Sequence, residues 1–250
     1  MANRISAKAG LLALISILVL GMVQRAAASS CPGDDNRNGT VTVDEILMAV
    51  NAALFGCSGP APFLLQTGQT QCDQGSGTLG TCPGSPQGQD AAVAAGSALS
   101  YRDNGDGTIS DNVTGLMWEK LSADSSVHDW TKTYTWQDAF SVKLAALNTP
   151  PCFAGHCDWR LPNRRELESL VDVGRGTPAI ASEFNSGQCD VSPCTACSCT
   201  QPDIYWSSTS YQDPNEPGFA WTVNFAFGAM SHFEKIPDIE LFVRAVRGGV

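Results

Sequence analysis

Twelve residues near the N-terminus carry the densest chemistry in the chain: Asp34-Asp35-Asn36-Arg37-Asn38-Gly39-Thr40-Val41-Thr42-Val43-Asp44-Glu45. They match the pattern D-x-[DN]-x-[DN]-G-x5-E at every specified position. A hard divalent cation takes six to eight oxygens, and the loop offers side-chain oxygens from Asp34, Asn36 and Asn38, the carbonyl of Thr40, and two oxygens from Glu45. Gly39 permits the sharp turn, and Thr42 stands where a direct or water-borne ligand is usual. The spacing therefore predicts a Ca²⁺ loop. The competing reading is a loop that keeps the turn without the metal, since only Asp34 and Glu45 among these ligands are ionised.

Nucleophilic and zinc chemistry find less support. His128, His156 and His232 are the only histidines, and none stands in a zinc-protease or nucleophile-elbow motif. Cys194-x-x-Cys197-x-Cys199 would suggest a metal cluster in a reducing compartment, but in an exported chain it reads as disulfides. We therefore expect a binding protein and not an enzyme.

The elements that position the loop are local. Val43, Ile46, Leu47, Val50 and Leu54 recur at helical spacing, so the exiting helix of an EF-hand is present. The entering helix is absent, because Cys31 lies only three residues upstream. Residues 33–56 thus resemble one dockerin-type repeat, whereas a dockerin has two in tandem. Cys31 and Cys57 bracket the unit closely enough for a disulfide to replace the missing repeat as a clamp. A second Asp/Asn/Gly cluster, Asp103 to Asp111, fails the calcium pattern. Aligning Gly107 with the loop glycine puts Arg102 and Val113 where acids are required, so a hairpin turn is the better reading.

The first residues read as a leader. Arg4 and Lys8 precede an apolar run from Leu11 to Val23, and Ala26, Ala27 and Ala28 offer a cleavage site. A run of thirteen residues falls short of the roughly twenty needed to span a bilayer, so a cleaved signal peptide over 1–28 is expected and no permanent span. Lipidation at Cys31 is the alternative. After residue 28, 12 basic residues face 25 acidic ones, a charge of −13 that argues against nucleic acid and for a divalent cation. The expected location is extracytoplasmic: secreted, at the cell surface, or periplasmic. Ten cysteines in local groups fit that space: Cys31 with Cys57, Cys72 with Cys82, Cys152 with Cys157, and then Cys189, Cys194, Cys197 and Cys199 with open connectivity.

After a Ser-Gly-Pro-Ala-Pro joint at 58–62, one domain is expected over 63–250. Its opening, to about Leu99, reads as an irregular arm tied down by Cys72 and Cys82. Beyond it, turn clusters at 103–107 and 111–115 separate short strands. Trp136, Ala139, Phe140, Leu144 and Leu147 predict a helix with Thr135 and Asp138 as its cap pair. A second helix should start at Asn163, with Glu166 at the capping-box position and Leu167, Leu170 and Val171 on one face. Phe219, Trp221, Val223 and Phe225 alternate with Ala220, Thr222 and Asn224, and 241–246 reads as one closing strand. The fold class is α+β.

Thr67-Gly68-Gln69-Thr70, Asp103 to Thr108, Asp111-Asn112, Thr114 to Trp118, Trp159-Arg160-Leu161-Pro162, Tyr205-Trp206-Ser207-Ser208 and Val243 to Arg247 occur in this order. Together they resemble the Lcl C-terminal domain family over roughly 63–250. The resemblance implies a C-type lectin-like fold with two helices and a twisted antiparallel sheet, and leaves activity open. On residue chemistry, Trp118, Trp136, Trp159, Trp206 and Trp221 read as core aromatics in preference to sugar platforms. Arg160 reads as the partner of a buried carboxylate or of strand carbonyls.

Two functions fit. The first is a secreted or surface-exposed calcium-binding recognition or adhesion protein for a carbohydrate or protein ligand. The second is an accessory of polysaccharide breakdown that docks on a cohesin-type partner through its dockerin-like repeat. Ligand contact is expected on the connection 211–218, where Tyr211 offers a stacking face and Asp213, Asn215 and Glu216 offer oxygens; a solvated loop with no partner is the competing reading.

Overall fold

The computed structural model divides the chain into two units, Met1–Pro60 and Ala61–Val250. It describes residues 64–74, 77–82, 88–187, 189–190, 193–216 and 218–248. The leader, the calcium loop with Asp34, Asn36, Asn38, Thr40 and Glu45, and the Cys31–Cys57 pairing lie outside the described residues. No helix among the described residues is long and apolar enough to cross a membrane.

The opening arm is irregular, as its composition predicts. It holds a two-residue ladder, β1 (Cys72–Asp73) with β2 (Leu79–Gly80), closed by the Cys72–Cys82 disulfide, and a single helical turn, α1 (Asp90–Val93). A parallel bridge from Leu65 to Ser97 fastens it. Val173 N–H donates to the carbonyl of Thr67 (2.8 Å).

Turn chemistry then sets the first sheet. β3 (Tyr101–Asp103) and β4 (Thr108–Asp111) are antiparallel across the Asn104–Gly107 turn, where Asp103 Oδ1 accepts from Gly105 N–H and Asp106 Oδ1 from Thr108 N–H. At the next turn Asp111 Oδ1 accepts from Val113 and Thr114 before β5 (Leu116–Glu119). These are the side-chain-to-backbone bonds that let short polar residues fix a turn. With β11 (Val246–Gly248) the sheet has the order β11-β5-β4-β3.

The second sheet has the order β6-β10-β7-β8-β9 and is antiparallel apart from its β10–β7 pair. Its members are β6 (Thr133–Tyr134), β7 (Ile204–Ser210), β8 (Phe219–Asn224), β9 (Ala229–Glu234) and β10 (Leu241–Phe242). The first predicted helix starts at its expected cap: Thr135 Oγ1 accepts from Asp138 N–H. It runs from α2 (Trp136–Asp138) through a π-helical stretch, Ala139–Leu144, into α3 (Ala145–Leu147). The second, α4 (Arg164–Glu168), carries the predicted capping box, with Asn163 Oδ1 accepting from Glu166 N–H and Glu166 Oε2 from Asn163 N–H. The result is a mixed helix-and-sheet domain, compatible with α+β.

One strand assignment needs correction. Residues 241–246 do not form a single strand: β10 lies in the second sheet and β11 in the first. The chain changes sheets because Glu119 captures the backbone between them. Its N–H donates to the carbonyl of Ala245, and its Oε2 accepts from Ala245 N–H, both at 3.0 Å.

Two buried clusters share β7 and β8. Tyr205, Val223 and Phe225 pack with Ile109, Trp118, Leu167, Leu170 and Phe184, while Trp206 and Ala220 pack on the opposite face with Leu144, Leu147, Trp159 and Leu161. The alternation in β8 is as expected, but Ala220 and Thr222 on the second face are buried too, while Phe219 and Trp221 on the first are only half-buried. Trp118, Trp159 and Trp206 are core residues. Trp136 and Trp221, expected to join them, are half-buried at the surface.

Disulfides Cys72–Cys82 and Cys152–Cys157 pair as predicted. The last four cysteines pair as Cys189–Cys199 and Cys194–Cys197.

Candidate functional site

The face of β8 and β9 that runs out from under α4 carries a concave site of about 800 Å³. Its position follows from a bulge in β7, where the register with β8 shifts between Trp206 and Ser210. The bulge docks the start of α4: Ser208 N–H donates to the carbonyl of Pro162 (2.8 Å), and Arg164 N–H donates to Thr209 Oγ1 (3.0 Å). Pro162 prevents the helix from beginning earlier, and the Asn163 cap fixes its first turn. Arg164 is thereby held over the sheet, its guanidinium 4.2 Å from the ring of Trp221 and its Nε donating to Met230 Sδ (3.2 Å).

Trp221 is paired across the ladder with His232. The His232 ring stacks on Tyr211, with centroids 4.3 Å apart and planes 4° from parallel, and its Nε2 lies 3.1 Å from Glu216 Oε2. Trp221 meets Tyr211 edge-on at 5.2 Å. Half-buried aromatics with a cation stacked on one of them form a surface that binds planar or apolar groups by their faces and anions by the guanidinium.

The far end of the groove is aliphatic. Leu64, Leu65, Val171 and Val173 line it, with Gly228 at the β8–β9 turn. Gly228 has a φ of +76°, and a Cβ there would stand 2.5 Å from Val171 Cγ1, so this position requires glycine on both counts.

Of the four residues expected to contact a ligand, Tyr211 and Glu216 converge on His232 beside the groove. Asp213 and Asn215 do not: Asp213 Oδ1 accepts from the backbone N–H and the Nδ2 of Asn215, so both are engaged in a local turn. The sequence reading takes Trp221 for a core aromatic, finds no catalytic motif at His232, and gives Arg164 and Thr209 no functional role. For Trp221 a signal existed in its place near the start of a strand whose later residues, Val223 and Phe225, complete the core.

A second cavity, about 380 Å³, is lined by His128, Lys120, Ser122, Asp106, Asp124 and Phe153, among others. Behind it Glu119 is fully buried, with Oε1 accepting from Lys143 Nζ (2.6 Å) and lying 2.7 Å from His128 Nδ1. Burial alone would raise the Glu119 carboxyl, but the Lys143 ammonium and the His128 contact outweigh it and hold it down at about 2. Burial likewise pulls Lys143 below the usual lysine range, against the opposing pull of Glu119. With donors converging on both oxygens, the ionised carboxylate is the state the geometry fixes. This arrangement ties β5, the π-helical stretch and the sheet crossover together.

Arg160 donates to a strand carbonyl as expected, that of Gly248 (2.9 Å), and its carboxylate partner is Glu166, paired bidentately at 2.7 Å and half-buried where a buried one was expected. No group of three or more His, Cys, Asp or Glu side chains suited to a metal ion occurs among the described residues.

Comparison with known proteins places this architecture. The family model described as the Lcl C-terminal domain matches residues 107–247, more than half of the chain. The chain belongs to the Lcl C-terminal domain family. The match is narrower than the resemblance read from the sequence: it takes in Arg164, Thr209, Tyr211, Trp221 and His232, but leaves the 64–67 wall of the groove outside the Lcl C-terminal domain proper. No curated protein and no solved structure matches the chain.

Proposed function

We propose that this protein is an extracytoplasmic recognition or adhesion protein that holds a carbohydrate or protein ligand in the groove between α4 and the β8–β9 face. The observation that carries this reading is the guanidinium of Arg164 stacked 4.2 Å above a half-buried Trp221 within that groove. A half-buried aromatic and cation pair, fixed by a helix cap and a strand bulge, presents a preorganised ring face and a guanidinium to a ligand in the groove. The four disulfides of the described region fit an oxidising space outside the cytoplasm. The lectin-like relation of the family supports recognition over catalysis, and it rests on resemblance.

Calcium enters the proposal through the N-terminal loop. Asp34, Asn36, Asn38, the Thr40 carbonyl and Glu45 form an all-oxygen donor set with the bidentate acid in the last position, which is the chemistry Ca²⁺ requires. The same repeat carries the second reading, docking on a cohesin-type partner, which a pull-down of the mature chain with such a partner addresses. The first reading is tested by applying the refolded mature chain to arrays of glycans and extracellular proteins. It predicts a ligand retained by wild type and lost by Trp221→Ala, with both folded by circular dichroism; a ligand retained equally by both contradicts it.

A further inference from the structure

Resting on that reading of the groove, we propose that its occupant is an acidic peptide segment that also presents an aliphatic side chain. The groove has two chemically distinct walls, and each points to one half of such a ligand.

The cationic wall is Arg164 and Arg165. Of the five other arginines among the described residues, four are committed: Arg160 to Glu166, Arg175 to Asp172, Arg247 to Asp158, and Arg244 to the carbonyls of Glu119 and Cys199; Arg102, exposed on β3, lies away from the groove. The terminal nitrogens of Arg164, and the whole guanidinium of Arg165, have no hydrogen-bond partner among the described residues. Glu168 is the one carboxylate lining the groove, against two guanidinium groups. In a chain as acidic as this one, a local excess of unpaired guanidinium is a complementary surface for a carboxylate, which it grips bidentately.

The aliphatic wall is Leu64, Val171 and Val173. Leu64 is 76% exposed and Val173 45%, and both are large apolar side chains left open to water. They are held in place: Ser97 N–H donates to the carbonyl of Leu64 (2.9 Å), and Val173 N–H to that of Thr67 (2.8 Å). A fixed aliphatic wall calls for an apolar occupant, which a hydroxylated saccharide supplies poorly and a Leu or Ile side chain supplies well. A peptide carries both groups on one backbone, and a volume of about 800 Å³ suits a short segment.

The test is fluorescence anisotropy on the full mature chain with a labelled, end-capped peptide pool in which Glu precedes Leu or Ile by a few residues. Matched pools replace Glu with Gln or the aliphatic residue with Ala, and a labelled oligogalacturonate serves as a carboxylated saccharide. Saturable binding of the Glu/Leu pool is expected. It should weaken roughly tenfold or more in either matched pool, and likewise in Arg164→Gln and in Val173→Asp, both checked for folding by thermal melt. Failure of the pool to bind folded wild type overturns the proposal, as does binding indifferent to both protein variants. If oligogalacturonate binds in an Arg164-dependent manner while the peptides do not, the peptide occupant is overturned and the groove remains the recognition site.

Discussion

Glu119 couples the stability of the domain to pH. It is fully buried, its carboxylate is held at about 2 against an ordinary 4.5, and it joins three segments far apart in sequence. A depressed carboxyl contributes stability that is complete above its unfolded value and is lost as pH falls through the folded one. Thermal melts should therefore be level above about pH 4.5 on this account and decline toward about pH 2. Glu119→Gln leaves Lys143 buried without its counter-ion and should cost roughly 3–5 kcal/mol at neutral pH, with a flatter acid limb. A variant that melts like wild type would show that the contact contributes little. In the N-terminal loop the corresponding residue is Glu45. Isothermal titration of the mature chain should give one Ca²⁺ per molecule for wild type and none for Glu45→Gln or Asp34→Ala; no heat for wild type at millimolar calcium would contradict the site.

At the scale of elements, the positions of the helices were legible because their signals are local. Thr135 with Asp138, and Asn163 with Glu166, are cap pairs read from four consecutive residues, and both cap as expected. The turn clusters at 103–107 and 111–115 were legible for the same reason. The sheet crossover at 243–245 was not, because it depends on Glu119, more than a hundred residues away in sequence, accepting the Ala245 N–H. Neither was the groove: the Asn163 cap next to Arg164 is local, but the β7 bulge that carries Arg164 over Trp221 lies more than forty residues away in sequence. The loop residues singled out for ligand contact divide accordingly: Tyr211 and Glu216 reach His232, while Asp213 and Asn215 serve their own turn. The α4 cap gives a direct test at this scale. Asn163→Ala removes acceptors for Arg165 and Glu166 N–H and should cost about 1 kcal/mol, lowering Tm by roughly 2–4 °C. An unchanged melt would mean the helix start is fixed by Pro162 and the bulge alone.

At the scale of the molecule, disulfides and two buried clusters fix the framework of the Lcl C-terminal family domain, with an open face where β8 and β9 emerge from beneath α4. The strongly acidic sequence, read as excluding polyanions, is compatible with a local guanidinium pair, because net charge governs approach and a groove's own side chains govern contact. The most direct test of this account is to titrate a ligand found by array onto four proteins: wild type, Trp221→Ala, Arg164→Gln, and an Asp213→Ala/Asn215→Ala double variant. All four should melt within a few degrees of one another. The account predicts that the two groove variants weaken binding by about tenfold or more while the loop double variant binds like wild type. Full affinity in a folded Trp221→Ala protein, with loss in the loop variant, would contradict it and move recognition to the 211–218 connection.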